Sequence, residues 1–391
     1  MSGVPAAPDT GAAPGRPAEA APPQVRAGFV VALRLMDVAY AIDLKRAEAL
    51  WSAEAGRASS RGRLRTAEPK ALAFGVPPVV IALDAVPLEL PGLGAEEAFA
   101  TARLYDFGAI AFELRIPVTG EAWGGFAALV DAVDAALGPA ADTPVWSGLL
   151  ARLRPVLETA LVRPTPSAIE EDYLIAIVHE FDVALDAAAI ERRLDLAALL
   201  SGETRALSEQ ARADLLRHRF SYYRDDLVVL GWDRAFIYEP RRDTDVADVL
   251  EVANAQLLEL RYYDELLDAE LPRMYQLVAA SRRGANLRAA RRYARLARRL
   301  YTLVAEVTEL TERVDNALQV TEDVYLARVY AAALDLFRVP AVAAAVDRKL
   351  SIIRDTYAAL YEEASSSRAE LLEIAIVLLI VIEIALAVWR P

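Results

Sequence analysis

The stretch that decides the fold of the first half of the chain is Arg103–Pro117, "RLYDFGAIAFELRIP". Its aromatic and β-branched residues favour a pleated, half-buried conformation over a helix. It reads as a strand in which Gly108 permits a bulge or a close approach of another backbone, since only glycine lacks the Cβ that would block either. Upstream, "RAGFVVALRL" (26–35) and "PPVVIALDAVPLEL" (77–90) are β-like in the same way. Downstream, "EDYLIAIVHEF" (171–181) is a further strand, and "DDLVVLGWDRAFIYEP" (225–240) is a hairpin turning near Gly231. Between them "EAWGGFAALVDAVDAAL", "VWSGLLARLRPVLETAL" and "SEQARADLLRHR" read as helices, the second interrupted or kinked at Pro155. This mixture predicts an α+β soluble domain over residues 26–242.

Beyond Asp243 the strand signals stop. "DVADVLEVANAQLLELRYYDELLDAELP" predicts a helix that kinks or ends near Pro272. In the next helix Tyr293, Leu300, Val307 and Val314 share one heptad position, and Leu296, Leu303, Leu310 and Ala317 its companion. That is the seam of an antiparallel hairpin or coiled coil. The register ends around Thr321–Asp323, and Val342, Val346, Leu350, Ile353, Tyr357 and Leu360 resume a 3–4 pattern. Residues 243–367 are therefore expected to form an α-helical coiled stalk, with "EEASSSR" as a hinge at its end.

The last run, Leu371–Trp389, is apolar except for Glu373 and Glu383. About 20 apolar residues suffice for a helix to cross a hydrocarbon layer of ~30 Å. Its thirteen Leu, Ile and Val residues contribute about −4 to −8 kcal/mol to insertion, against about +2.5 to +3.5 for a deep acidic residue. The balance favours residues 368–389 as a transmembrane tail anchor. Glu373, Ile376, Ile380, Glu383 and Ala387 are spaced 3, 4, 3, 4, so they line one stripe. Carboxylates within a membrane face protein or water, so this stripe is expected to contact another helix, from a second copy or a partner.

Composition narrows the chemistry. The 391 residues include no Cys, only His179 and His218, and a net charge of −13. Thiolate and imidazole-rich metal sites are thereby excluded or disfavoured, and a wholly basic nucleic-acid surface is excluded. Residues 1–25, mostly Ala, Pro and Gly, have almost nothing to bury and read as a disordered leader. No phosphate-cradling G-x-x-x-x-G-K and no G-x-S-x-G elbow is present. "VHEFD" brings His179, Glu180 and Asp182 together, but on a strand His179 and Phe181 face away from Glu180 and Asp182, as at a solvated strand end. "SRRGANLRAARRYARLARR" holds eight Arg and no acid, with Arg288, Arg292, Arg295 and Arg299 on one helical face. This face has three readings: pairing with Glu259, Asp264, Glu265 and Asp268, contact with anionic lipid, or contact with RNA or the ribosome.

From "RRLYTLVAEVTEL" (298–310) to the terminal span the chain resembles the "required for meiotic nuclear division" family of bacteria and mitochondria. The resemblance rests on a helical pair followed by Leu372-Glu373, an apolar span with an internal Glu at 383, and the aromatic-Gly strand "LYDFGAIAFEL". It departs at Tyr325, Leu326, Ile374 and Ala375, where that family often carries Trp. The resemblance implies a divergent bacterial member with an inner-membrane anchor, self-assembly and no established enzymatic activity. It also implies a link to translation or assembly at the membrane. The expectation is thus a non-enzymatic scaffold on the bacterial inner membrane, its soluble domain cytoplasmic, with no cofactor, metal or small-molecule substrate. Its partners would be the lipid bilayer and further copies of itself. The alternative is an enzyme with a cleft in the α+β domain.

Overall fold

The computed structural model describes residues 22–55, 60–61, 72–73, 76–141, 143–165, 169–243, 245–282, 319–320 and 323–389, with isolated helical residues between 295 and 308. The chain begins with β1 (Gln24–Asp37), β2 (Ala39–Ile42) and α1 (Leu44–Ala55), then the two-residue strands β3 (Ser60–Arg61) and β4 (Leu72–Ala73). Strands β5 (Val79–Ala82), β6 (Val86–Leu90), β7 (Gly94–Leu104), β8 (Ala109–Val118) and β9 (Glu121–Ala122) follow. Helices α2 (Trp123–Leu137) and α3 (Val145–Leu157) lead to β10 (Leu161–Pro164) and β11 (Glu170–Phe181). Helices α4 (Ala187–Arg193), α5 (Leu196–Ser201) and α6 (Glu209–Leu215) precede β12 (His218–Phe220), β13 (Leu227–Leu230) and β14 (Arg234–Tyr238). Then come α7 (Asp245–Arg282), β15 (Gln319–Val320), α8 (Val324–Leu336) and α9 (Val339–Trp389).

Strand β1 lies at the centre of an eleven-stranded mixed sheet of order β12-β13-β14-β11-β1-β8-β7-β5-β3, with β6 on β7 and β9 on β1. The β11–β14 pair is parallel, and every other pairing among the described strands is antiparallel. Successive side chains on a strand point to opposite faces. Val30, Ala32 and Met36 therefore enter one core with Phe126, Val130 and Val133 of α2 and Leu153 of α3. Val31, Leu33 and Leu35 enter a second core with Val249, Leu250 and Leu257 of α7 and Val329, Ala333 and Phe337 from α8 and its end. Burial on both faces explains why β1 reads as a nearly continuous apolar run. The N-terminal part is thus an α/β domain around a large mixed sheet, followed by helices.

Several expectations are corrected. Arg103–Pro117 is two strands rather than one. The carbonyl of Tyr105 accepts from the Gly108 N–H at 3.2 Å, and a tight turn joins β7 to β8. Gly108 has φ +106°, and a Cβ there would lie 1.7 Å from the Ala39 carbonyl oxygen. The close backbone approach therefore exists, at a turn. Strand β1 starts at Gln24, with Val25 fully buried opposite Phe181, so the two residues that end the expected leader belong to the sheet. The helix of Pro272 continues to Arg282, because Met274 beyond it packs with Val307, Val346 and Leu350. Strands do not vanish after Asp243, since Gln319 and Val320 pair with Ala73 and Leu72. Helix α9 runs unbroken through the "EEASSSR" segment expected to hinge.

The expected boundary at 242 falls at the β14–α7 junction. The first half of α7 packs on the sheet, while its second half joins α9 in a third cluster of Tyr263, Leu267, Met274, Val307, Val346, Leu350 and Ile353. Among the described residues no single helix is long and apolar enough to cross a membrane. One bent pair, Val324–Leu336 with Val339–Ala359, meets length and composition across a 62° bend. Its Val329, Ala333, Val346, Leu350 and Ile353 are buried in the second and third cores, which accounts for its apolarity.

Candidate binding cleft

At one end of β13 and β14 a cleft of about 410 Å³ opens between the sheet and the starts of α7 and α8. Local chemistry shapes its walls. The Asp226 carboxylate accepts the N–H groups of Tyr222 and Tyr223 at 2.7 and 2.9 Å, pinning the loop that carries both rings to the rim. Glu239 follows β14 and accepts the Arg241 N–H at 2.8 Å. Asp243 accepts the N–H of Asp245 at 3.1 Å as α7 begins. Asp323 caps α8 by accepting from Tyr325 and Leu326 at 2.8 and 3.2 Å. That cap sets Tyr325 against Tyr222, their ring centroids 5.4 Å apart. The Arg241 guanidinium lies 3.5 Å from the centroid of the Tyr223 ring. Tyr238 and the apolar Ile177, Val228 and Leu326 complete the lining.

The electrostatics are those of concentrated negative charge. Burial, with the charges of Asp226, Glu239 and Asp323, pushes the Tyr325 hydroxyl well above its usual range. Burial raises the Glu239 carboxyl, and Asp226 and Asp243 add to that rise. Tyr238 is raised by burial and by Asp225, Glu239 and Glu180. A cavity with aromatic walls and several carboxylates is suited to a positively charged group. Among the described residues no group of three or more His, Asp or Glu is placed to hold a metal ion.

A second set of charges lies buried between sheet and α7. Arg103 of β7 reaches Asp248 at 2.8 Å and Glu251 at 3.3 Å, and the Tyr105 hydroxyl donates to Glu251 at 2.7 Å. Burial lifts the Glu251 carboxyl to about 7 even though Arg103 opposes the shift. One turn pair further on, Glu259 accepts from the Tyr263 hydroxyl at 2.7 Å, and burial with Asp37 and Asp106 raises its carboxyl well above the ordinary range. These groups fasten two layers together, and Asp248, Glu251, Glu259, Tyr105 and Tyr263 are buried while Arg103 keeps a small exposure.

The residues singled out in the sequence fall elsewhere. His179 is half-buried, its Nδ1 is 2.8 Å from the Glu239 carbonyl, and burial lowers its pKa. Asp182 accepts the Gln24 N–H at 2.9 Å. Arg288, Arg292 and Arg299 lie outside the described residues, while Arg295 is helical and exposed. Two of the acids expected to pair with that face are engaged by Lys349, which is 2.7 Å from both Asp264 and Asp268. Glu259 cannot serve the Arg face either, being buried against Tyr263. Of the expected stalk seam, Val307 is buried in the third cluster, and Tyr293, Leu296, Leu300, Leu303, Leu310 and Val314 lie outside the described residues. Ile376, Ile380 and Glu383 of the terminal stripe are exposed, and the side chains of Glu373 and Ala387 lie outside the description. Sequence reasoning missed the cleft because its walls come from 177, 222–247 and 323–326. The one legible hint was the density of Tyr and acidic residues in "SYYRDD" and "IYEP".

Fold and cleft together define an α/β head with a mixed eleven-stranded sheet and an acidic, tyrosine-lined cleft, continued by a helical bundle. Residues 27–244 match the family described as "Uncharacterized protein MJ0711, N-terminal domain", and the chain belongs to that family. A relative from Methanocaldococcus jannaschii, "Uncharacterized protein MJ0711", is 26% identical over 201 residues, which is 51% of this chain and 61% of the relative. The chain thus spans about three fifths of that relative's length. No solved structure matches the chain. The matched residues stop at α7, short of the C-terminal segment that carries most of the meiotic-nuclear-division resemblance.

Proposed function

We propose that the protein is a membrane-anchored, non-catalytic scaffold whose α/β head is presented by a helical bundle and whose terminal helix lies in lipid. One observation carries this reading. Ile376 through Ile382 are seven consecutive apolar residues on α9, each 46–65% exposed. Seven residues are nearly two helical turns, so among the described residues no face of this part of α9 is covered. A helix that is apolar all round is stable inside a protein core or a membrane, and the core clusters of the described residues do not include this one. Trp389, 88% exposed at the far end, has the amphipathic ring that suits a membrane interface. The 3, 4, 3, 4 stripe through Glu383 then supplies a contact line for a second copy. The bacterial inner membrane, a cytoplasmic head, and a role near translation or assembly follow from the resemblance and belong to the same proposal.

Two further features support a holding role. Asp226, Glu239, Asp243 and Asp323 each commit a carboxylate oxygen to a backbone N–H, which fixes loops and helix starts. The buried ion pairs of α7 tie its first half to the sheet. The test is extraction of membranes from cells making the full chain. The protein should stay in the pellet through alkaline carbonate and enter solution only with detergent. Release by carbonate, or recovery in the soluble fraction without surfactant, would overturn the anchor.

A further inference from the structure

The cleft carries a chemistry that anchoring does not use. Five of its lining groups are carboxylates (Asp226, Glu239, Asp243, Asp245 and Asp323), and Arg241 is the cation among them. Their formal sum is therefore −4 when all are ionised. Tyrosines 222, 223, 238 and 325 supply the walls, and the rims at Tyr222 and Tyr223 are 61% and 44% exposed, so the mouth is open to solvent. The starts of α7 and α8 both face this space, and a bare helix N-terminus favours an anion. Here that demand is met internally, by Asp245 in the first turn of α7 and by the Asp323 cap of α8. Asp226 and Glu239 also stand beside aromatic faces, whose quadrupoles attract cations. The chain itself demonstrates the match, because Arg241 stacks its guanidinium on Tyr223 at 3.5 Å.

We propose that this cleft binds a small organic cation, an alkyl guanidinium or alkylammonium, whose charged head displaces Arg241 from the Tyr223 ring while its apolar stem lies along Tyr222 and Tyr325. The volume of about 410 Å³ suits a small molecule with a short chain. Burial is the main cause that raises Glu239 and Tyr325, and the neighbouring carboxylates add a smaller part, which is the part a bound cation would offset. The inference is independent of where α9 resides, so the carbonate experiment and the one below fail separately.

The test is calorimetric titration of the full chain, in mild detergent, with agmatine as the guanidinium probe and spermidine as the ammonium probe. Saturable binding that weakens with added salt is expected for at least one probe. Glu239→Gln, nearly isosteric, should weaken it about tenfold, with the thermal midpoint recorded to show that the variant is folded. Arg241→Ala should tighten it several-fold, because the competing guanidinium is gone from Tyr223. A gain cannot come from misfolding, so this variant keeps the proposal falsifiable if Glu239→Gln fails to fold. Absence of binding by both wild type and Arg241→Ala up to about 10 mM probe overturns the proposal. So does weaker binding by Arg241→Ala, or binding of pyrophosphate in preference to either cation.

Discussion

Gly108 shows how far one residue governs this sheet. Its φ of +106° is a conformation that side chains with a Cβ rarely adopt, and the Ala39 carbonyl occupies the space a Cβ needs. Gly108→Ala must therefore strain the β7–β8 turn and push β2 away, so it should cost about 3 kcal/mol or more of unfolding free energy. Urea denaturation would show it, and a midpoint within error of wild type would refute the geometry. Asp37 acts through its proton. Burial lifts its carboxyl from 3.8 to about 6, while the Thr165 hydroxyl, donating at 3.1 Å, opposes the rise. The folded protein thus holds this proton to a higher pH than the unfolded chain does. The associated stability is complete below the unfolded pKa, and is lost as pH rises through the folded one. Two pKa units correspond to about 3 kcal/mol. Asp37→Asn, which cannot ionise, should therefore gain on wild type by about 2–3 kcal/mol between about pH 4 and pH 7. Thermal melts of both proteins across that range check it, and a constant difference would exclude Asp37 as the source.

At the scale of elements, β7 and α7 are held by Arg103. Its guanidinium neutralises Asp248 and Glu251 where neither has much access to water. Removing one member of such a buried set leaves charge uncompensated and typically costs 3–5 kcal/mol. Arg103→Met should fall in that range, with the loss growing above pH 7 as Glu251 is forced to ionise. Adding Glu251→Gln should restore part of it, and equal losses in the single and double variants would show that the pair is not coupled. This contact also marks the limit of what the sequence disclosed. The strands were legible, because "RAGFVVALRL" and "EDYLIAIVHEF" carry β-branched and aromatic runs that only a sheet accommodates. The order of strands was not, because β11 pairs with β1 across some 140 residues and nothing local encodes that meeting. Asp248, Glu251, Asn254 and Glu259 are polar residues on one helix, yet all four are buried. Their burial became intelligible only when the sheet placed Arg103, Tyr105 and Asp37 beneath them. The cleft was hidden for the same reason, its walls meeting across about 80 residues of intervening chain.

For the whole molecule the proposed anchor turns on the insertion balance of the last helix. Its thirteen Leu, Ile and Val residues are together worth about −4 to −8 kcal/mol in lipid, reduced by Glu383 to a margin of a few kcal/mol. Two lysines near the centre of the run would add about +5 to +7 kcal/mol, enough to reverse the sign. Leu378 and Ile382 are 55% and 46% exposed and touch no core cluster, so lysine at both positions leaves the fold of the head undisturbed. The double variant Leu378→Lys/Ile382→Lys should therefore move from the membrane pellet to the soluble fraction while keeping the thermal transition of the wild-type head. Glu383→Leu should do the opposite, anchoring at least as firmly but losing the polar contact on its stripe, and so recovering fewer copies of itself in detergent. If the two-lysine chain still sediments with membranes and resists carbonate, then the anchorage resides in some other surface. In that case the exposed ring of Ile376–Ile382 is better explained as a seam awaiting a partner helix in water.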